Sequence, residues 1–222
     1  MNPFTDTSQV TAVVPTWGDD PWLSDRLENI LEQSRRPSQT LIIAWGASCH
    51  RVPPAQYRRF VRTVHVADYY DLAELAVRTP YTVVINPGEW LTATAFEAME
   101  LAMDIHPECS AGQANRLITT VSGEITQETF SPYFGALAKE NTAHDLKTPT
   151  AIFRVGQGWT ANWNGTRLEI FNEGNDPSIY GIPVPLGHCY ESKVGPAPVL
   201  TKGQRTRANW SIHCSAKIRR PL

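Results

Sequence analysis

Short apolar runs alternate with amphipathic stretches along the first half of the chain. The runs at 10–15, 40–45 and 81–85 are continuous enough to predict buried strands. Between the first two runs, one face of a predicted helix carries apolar residues at i, i+4, i+7 and i+8: Leu23, Leu27, Ile30 and Leu31. Strands that alternate with helices predict an α/β fold with a mainly parallel sheet.

Capping signals and spacing predict further elements in this half. Asp20 and Pro21 are typical of an N-cap followed by proline at the first helical position. Helices are expected over 57–62 and 71–77, and a strand over 63–67 between them. A longer helix is predicted to start after an N-cap at Thr92 and to end before Pro107, with a buried stripe of Phe96, Met99 and Met103.

The second half has a weaker pattern. Ser122-Gly123 predicts a hairpin turn within 117–126, and 131–146 is expected to be partly helical. Short strands and many Gly and Pro residues follow. Since no internal repeat or low-complexity linker interrupts the chain, we expect residues 1–222 to form a single domain.

Polar and aromatic residues follow the predicted strands. Pro15, Thr16, Trp17 and Asp19 follow the first strand, and Trp45 ends the second. The carboxyl ends of parallel strands share one edge of the sheet, and open α/β sheets bind their ligands there. The sequence therefore predicts a ligand site at these strand ends.

Charge is distributed unevenly along the 222 residues. The net charge is only −2, yet no acidic residue follows Glu191, whereas seven basic residues do. This basic tail is suited to facing phosphate groups. The sequence predicts no membrane span and no secretory leader, so we expect a cytoplasmic protein whose four cysteines are reduced.

Two blocks of sequence resemble the family 2 glycosyltransferases. They are "VTAVVPTWGDDPWLSDRLENILEQSRRPSQTLIIAWGAS" and "DYYDLAELAVRTPYTVVINPGEWLTATAFEAMELAMDIHPE", and the resemblance covers about residues 10–115. It implies a GT-A-like, Rossmann-like fold: a mainly parallel sheet flanked by helices, with an irregular C-terminal acceptor half. Residues 10–115 would form the nucleotide-binding half, 116–200 the acceptor-binding half and 201–222 the basic tail.

The resemblance also implies an activity. The protein would be an enzyme that moves a sugar from a nucleotide diphosphate donor, with a UDP-sugar favoured, to a hydroxyl acceptor on a glycan, a protein or a modified nucleic acid. The implied nucleotide-binding residues are Pro15, Thr16, Trp17, Asp19, Trp45 and Asp71. An ordinary turn is the alternative for the first four, and a core position is the alternative for Trp45.

The acidic motif of that family is altered in this chain. Asn86-Pro87-Gly88-Glu89 stands where an Asp-x-Asp motif is usual. Because divalent cations prefer oxygen ligands, Glu89 and Asn86 are the candidate ligands for the implied Mn²⁺ or Mg²⁺. The alternative for Glu89 is an acid that stabilises the N-terminus of the following helix.

The catalytic expectations lie in the second half. Asp176 or Glu173 is the candidate base that would activate the acceptor for an inverting single displacement, with an exposed turn as the alternative. The tail residues Lys202, Arg205 and Arg207 are candidates for binding the diphosphate, with a solvated tail as the alternative. Further candidates are aromatic residues for stacking on a sugar and histidines for contacting phosphate or metal: Trp159, Trp163, Tyr180, His188 and His213.

Two other classes of function remain open from the sequence. The missing Asp-x-Asp motif is compatible with a non-catalytic GT-A module that binds a nucleotide sugar. The basic tail with Trp210 is compatible with a nucleic-acid-binding protein, whose affinity would fall steeply with salt. An enzyme that glycosylates a modified DNA base would combine the two.

Overall fold

A computed structural model describes residues 7–17, 20–45, 53–66, 69–71, 77–120, 122–129, 146–163, 167–172 and 178–190. Two helices lie in these ranges, α1 (Leu23–Leu31) and α2 (Ala95–Ile105). The strands of the same ranges, in chain order, are β1 (Thr7–Trp17), β2 (Arg36–Trp45), β3 (Val61–Val66), β4 (Tyr69–Asp71), β5 (Tyr81–Val84), β6 (Glu89–Leu91), β7 (Ala111–Thr119), β8 (Ile125–Glu128), β9 (Ala151–Arg154), β10 (Trp159–Trp163), β11 (Leu168–Asn172) and β12 (Ile179–Tyr190).

The main sheet has nine strands in the described part of the chain. Its order is β3-β2-β1-β5-β9-β7-β12-β6, and β8 pairs with β7. The first four strands of this order are mutually parallel. Because β9 is antiparallel to both β5 and β7, and β12 is parallel to β7, the strands β7 and β12 run in the same direction as β1. The carboxyl ends of these six parallel strands therefore lie along one edge, and the predicted mainly parallel α/β sheet is confirmed.

The two faces of this sheet are covered by different elements. Alternate residues of a strand point to opposite faces, and the buried residues of β1 divide accordingly. Val10, Ala12 and Val14 pack with α1 and α2, whereas Val13 packs with the small sheet. That small antiparallel sheet has the order β11-β10-β4. The helical stripe of Phe96, Met99 and Met103 is fully buried, as predicted.

Several element boundaries differ from the sequence-based expectation. The segment expected to be helical over 57–62 forms a 3-10 turn at Ala55–Tyr57, and β3 already begins at Val61. The β-branched residues of 61–66 favour the strand. Helix α1 begins at Leu23, two residues after Pro21, and α2 begins at Ala95 with Thr94 rather than Thr92 at the N-cap.

The hairpin predicted around Ser122-Gly123 is confirmed. Strands β7 and β8 pair antiparallel, and Gly123 has a φ of 85°, a conformation that glycine adopts without steric cost. Of the helix expected over 71–77, residues 72–76 lie outside the described residues, and Asp71 is in strand β4. Residues 131–145, expected to be partly helical, also lie outside them. No helix in the described ranges is long and apolar enough to cross a membrane.

Candidate functional site

The ends of β1 and β2 bring four of the six candidate nucleotide-binding residues together. Thr16 lies opposite Ala44, and Trp17 lies opposite Trp45 in the parallel register. Pro15 precedes them at the same edge, and Thr16 is fully buried. The structure describes Trp17 and Trp45 by their backbone alone. Their neighbouring positions nevertheless follow directly from the strand pairing.

The other two candidates for the nucleotide are placed differently. Asp71 lies in β4 of the small sheet, where its backbone pairs with Thr160. Asp19 lies outside the described residues. The strand pairing thus places Asp71 in a different sheet from Trp17 and Trp45.

Asp20 fixes the turn that follows β1. Its Oδ2 accepts a hydrogen bond from the Thr16 hydroxyl at 2.9 Å, and its Oδ1 accepts one from the backbone N–H of Trp22 at 3.0 Å. The same carboxylate forms an ion pair with Arg26. Asp20 is therefore not the N-cap predicted from the sequence, because it satisfies an N–H that precedes the helix and binds an arginine inside the helix.

Arg26 joins the ends of β1 and β5. Its side chain is fully buried, and Nη1 donates to the backbone oxygens of Pro15 at 2.8 Å and Ile85 at 3.0 Å. Burial lowers the pKa of Arg26, whereas the charges of Asp20 and Glu89 raise it. The sequence analysis missed this residue. Its position in the sequence could have indicated its burial, because Arg26 falls on the buried face of α1 between Leu23 and Ile30.

Asn86 connects the edge of the main sheet to the small sheet. Its Nδ2 donates to the Thr148 hydroxyl at 2.8 Å and to the backbone oxygen of Leu168 at 3.1 Å. Its Oδ1 accepts from the backbone N–H of Leu168 at 2.7 Å. The amide is 1% exposed, so all three hydrogen bonds are shielded from water.

A tight turn directs Glu89 into the protein. Gly88 adopts a φ of 78°, which the residue after proline in a type II turn requires, and the N–H of Glu89 donates to the oxygen of Asn86. The Glu89 side chain has no exposed surface. Its Oε2 accepts from the backbone N–H of Asn86 at 2.7 Å, and its Oε1 accepts from the Thr148 hydroxyl at 2.8 Å.

A buried arginine also faces this carboxylate. Nη2 of Arg167 lies 3.9 Å from Oε1 of Glu89 and donates to the Thr148 hydroxyl at 3.0 Å. Glu89 belongs to strand β6, several residues before α2 starts, so the alternative role at a helix N-terminus is wrong.

Asn86 and Glu89 as they are placed do not fit a divalent ion. Every side-chain oxygen of the pair accepts a hydrogen bond from the chain itself, and the guanidinium of Arg167 faces the Glu89 carboxylate. Within the described residues there is also no cluster of three or more His, Cys, Asp or Glu that could hold a metal.

A group of aromatic and polar side chains lies at the carboxyl ends of β7 and β12. The Thr119 hydroxyl is 2.6 Å from Nε2 of His188, and the His188 ring lies 4.7 Å from that of Tyr190. Trp90, which is opposite His188 in the register, meets the Tyr190 ring edge-on at 5.4 Å. We call these four half-buried residues the β12 aromatic group. Burial lowers the pKa of His188, which favours its neutral form.

Two aromatic residues proposed for stacking on a sugar have other roles. Trp159 is 2% exposed, and its Nε1 donates to the backbone oxygen of Ser110 at 3.0 Å, so it belongs to the core. Tyr180 stacks on His106 at 3.8 Å near the start of β12, at the edge opposite the strand ends described above. Trp163 is described by its backbone alone.

The remaining candidates cannot be placed. They lie outside the described residues: Glu173, Asp176, Lys202, Arg205, Arg207 and His213.

Comparisons with known proteins relate this geometry to solved structures. No protein-family model matches the chain, and no curated protein matches it. The chain superposes on S. aureus TarS 1-349 in complex with UDP-GlcNAc with a TM-score of 0.57 and 10% identity, over 84% of this chain and 59% of that chain. For the complex of the same protein with UDP, the TM-score is 0.56 at 11% identity, over 82% of this chain and 60% of that chain.

A third structure is similar at a lower level. The mannosyltransferase PcManGT from Pyrobaculum calidifontis, in complex with GDP-Man and Mn²⁺, superposes with a TM-score of 0.45 at 14% identity, over 86% of this chain and 59% of that chain. This likeness is too weak to support an inference. The stronger superpositions confirm the GT-A-like fold, and this chain spans about three fifths of the TarS 1-349 chains it matches.

Proposed function

We propose that this protein is a glycosyltransferase that binds a nucleotide diphosphate sugar at the carboxyl ends of β1, β2 and β5. The observation that carries the proposal is the superposition of its GT-A-like fold on a chain in complex with UDP-GlcNAc. A UDP-sugar is therefore the favoured donor.

Features of the strand ends support a nucleotide site there. Trp17 and Trp45 lie side by side on neighbouring strands, which suits a flat nucleobase and its ribose. Arg26 ties the end of β1 to the end of β5 and so fixes the surface on which the nucleotide would lie. Pre-formed surfaces of this kind reduce the ordering cost of binding. Asp71 and Asp19 remain candidates for the base edge.

The proposed chemistry is a single displacement. The acceptor oxygen forms a bond to the anomeric carbon as the bond from that carbon to the diphosphate oxygen breaks, and the nucleoside diphosphate leaves with the electron pair. Asp176 or Glu173 takes the hydroxyl proton. Lys202, Arg205 and Arg207 neutralise the charge that develops on the leaving diphosphate. A single displacement of this kind inverts the configuration at the anomeric carbon.

The β12 aromatic group is the proposed acceptor side. It lies at the same edge as Trp17 but four strand positions away, about 19 Å if strands are about 4.8 Å apart. That span leaves room for a nucleotide diphosphate sugar between the two. Half-buried rings with a nearby hydroxyl and imidazole suit an acceptor that has both an apolar face and hydroxyl groups.

The test is a thermal-shift titration of the full chain with UDP, UDP-sugars and GDP-sugars, followed by an assay for release of nucleoside diphosphate. A bound nucleotide should raise Tm in proportion to its concentration relative to Kd. Trp17→Ala and Trp45→Ala should abolish the shift. Phe60→Ala is the matched control, because Phe60 is an exposed aromatic residue next to the amino end of β3, at the opposite edge. If no nucleotide raises Tm, the proposal is wrong.

A non-catalytic nucleotide-sugar-binding module is the second candidate. The buried, paired state of Glu89 favours it, because this position supplies a metal-binding acid in the family that the sequence resembles. The two candidates differ in one measurement. An enzyme releases nucleoside diphosphate from the donor that stabilises it, whereas a binding module raises its Tm with that donor and releases none.

A further inference from the structure

We infer that the edge of the main sheet opposite the proposed donor site binds a single-stranded nucleic acid. Exposed arginines gather at the amino ends of β2, β3 and β5, and an exposed phenylalanine lies among them. We call these six exposed residues the arginine edge: Arg36, Arg58, Arg59, Phe60, Arg62 and Arg78. The inference uses other residues than the proposed function and goes beyond it.

Strand topology brings these residues to one edge. The strands β3, β2, β1 and β5 are neighbours in that order and mutually parallel, so their amino ends share an edge. Arg36 is the first residue of β2, and Arg78 lies three residues before β5. Arg58 and Arg59 lie just before β3, and Arg62 is its second residue. From β5 to β3 the row spans three strand intervals, about 14 Å, so one extended polyanion can contact it along this length.

The backbone of the arginine edge is held by the fold. Tyr57 is 8% exposed and packs in the core, and its backbone oxygen accepts a hydrogen bond from the N–H of Phe60 at 2.8 Å. The guanidinium of Arg59 lies over the Phe60 ring, 4.5 Å from the ring centroid. Before β5, the N–H of Arg78 donates to Oε1 of Gln39 at 3.3 Å. Because this backbone is already ordered, binding a ligand here costs little additional ordering.

The five guanidiniums of the arginine edge are not neutralised by the described part of the fold. Within those ranges, none of them forms an ion pair with an acidic residue. The segments 35–40, 53–62 and 77–82 contain six arginines and no acidic residue, and the sixth arginine, Arg35, pairs with Glu100. A row of like charges creates a positive potential that attracts a polyanion.

The residue types of this surface favour a nucleic acid. The same three segments contain no lysine. Arginine binds phosphate through two parallel hydrogen bonds, which the ammonium group of lysine cannot form. Phe60 is 39% exposed, and aromatic side chains beside cationic grooves stack on the bases of single strands. In a duplex the bases already stack on one another, so a single strand fits this combination of arginines and an aromatic ring better.

The experiment measures binding of a fluorescent oligodeoxythymidine of about 20 nucleotides to the full chain by fluorescence anisotropy. We expect a Kd of about 1–100 µM near physiological salt and weaker binding as the salt concentration rises. The triple variant Arg58→Gln, Arg59→Gln and Arg62→Gln should weaken binding by about tenfold or more. It should also reduce the slope of log K against log salt concentration by about 2. Because the three side chains are exposed, the variant should keep the Tm of the unmodified protein.

The matched control removes three positive charges elsewhere, through Lys217→Gln, Arg219→Gln and Arg220→Gln. We expect its Kd to stay within about threefold of that of the unmodified protein. An equal loss in both triple variants would show that affinity follows net charge alone, and the inference would be wrong. It would also be wrong if the unmodified protein did not bind the oligonucleotide at about 100 µM, or if it bound vesicles of phosphatidylserine and phosphatidylcholine more tightly.

A variant of Phe60 tests the preference for single strands. Phe60→Ala should weaken binding of the oligonucleotide by about fivefold or more and leave binding of a duplex of the same length unchanged, whereas Phe60→Trp should restore it. Phe60→Ala should still keep the UDP-induced rise in Tm, because the two surfaces lie at opposite edges of the sheet. If Phe60→Ala has no effect, or if the duplex binds as tightly as the single strand, the inference is wrong.

Discussion

The carboxylate of Asp20 and the guanidinium of Arg26 form an ion pair in which neither side chain is exposed to solvent. Asp20 follows β1 and Arg26 lies on the buried face of α1, so the pair joins the turn at the sheet edge to the helix behind it. The two remaining bonds of Arg26, to Pro15 and Ile85, extend this link to β5.

Breaking this pair should be costly. Asp20→Asn or Arg26→Met leaves one buried charge without its partner, and such changes lower the free energy of unfolding by about 3–5 kcal/mol. The double variant should cost clearly less than the sum of the two single variants, because it leaves neither charge alone. Urea unfolding of the three variants measures this coupling. Additive losses would show that the pair contributes no interaction energy of its own.

Asn86 and Asn29 each form hydrogen bonds to both the N–H and the carbonyl oxygen of one residue, but their side chains differ in exposure to solvent. Asn86 bonds the N–H and oxygen of Leu168, and the half-buried Asn29 bonds those of Leu91 at 2.9 and 3.0 Å. Asn86→Ala should lower the free energy of unfolding by about 2–3 kcal/mol, because its backbone partners would stay buried without a hydrogen bond from water. Asn29→Ala should cost about 1 kcal/mol, since water can reach part of that site. Equal losses in thermal or urea unfolding would contradict this reasoning.

Gly187 is predicted to tolerate no side chain. A Cβ at this position would lie 2.5 Å from Cγ2 of Thr150 and 3.2 Å from the backbone oxygen of Trp90. We therefore expect Gly187→Ala to destabilise the fold by about 1–3 kcal/mol through overpacking. Gly156→Ala is the control. It has a φ of 81° and open space around its Cβ position, so only its backbone conformation is penalised, by about 1–2 kcal/mol.

Two further glycine variants would separate the two causes. Asparagine adopts positive φ more readily than alanine, so Gly156→Asn should recover part of the stability lost in Gly156→Ala. Gly187→Asn should be worse than Gly187→Ala, because its larger side chain increases the clash with Thr150. Differential scanning calorimetry of the four variants gives the comparison, and recovery at position 187 would contradict the steric explanation.

The stability of the protein should depend on pH through His188. Burial lowers the pKa of this imidazole from the value of 6.5 in an unfolded chain. As the pH falls, the unfolded chain binds this proton first, so the stability contributed by neutral His188 is present above pH 6.5 and is lost as the pH falls through the folded pKa. The free energy of unfolding, measured from about pH 7.5 to about pH 5, should therefore fall less steeply in His188→Asn than in the unmodified protein. Parallel pH profiles would rule out this contribution.

The sequence predicted the elements whose signals are local. The stripe of Phe96, Met99 and Met103 identified α2, and the runs at 10–15 and 40–45 identified β1 and β2 with Trp17 and Trp45 at their ends. Helical periodicity and continuous apolar runs are properties of short segments, so a single sequence contains them. The small sheet was not predicted, because it pairs β4 with β10, nearly ninety positions later.

Two errors at individual residues have different causes. Asp20 resembled an N-cap because proline follows it, but its carboxylate pairs with Arg26 on the buried face of α1, a position that the sequence analysis did not consider. The local sequence around Glu89 was compatible with two interpretations, a metal ligand or an acid at a helix N-terminus. Its observed partner Thr148 is 59 residues away and has no motif that would identify it.

The segment from residue 86 to residue 91 is held at both of its ends by an asparagine amide, Asn86 to the small sheet and Asn29 from α1. It can neither slide nor tilt without releasing four backbone hydrogen bonds. A molecule bound beside this part of the sheet edge would therefore lie next to a segment that cannot adjust, and it would have to fit the shape it finds. Selectivity there would come from excluding molecules of the wrong outline, with little adjustment by the protein.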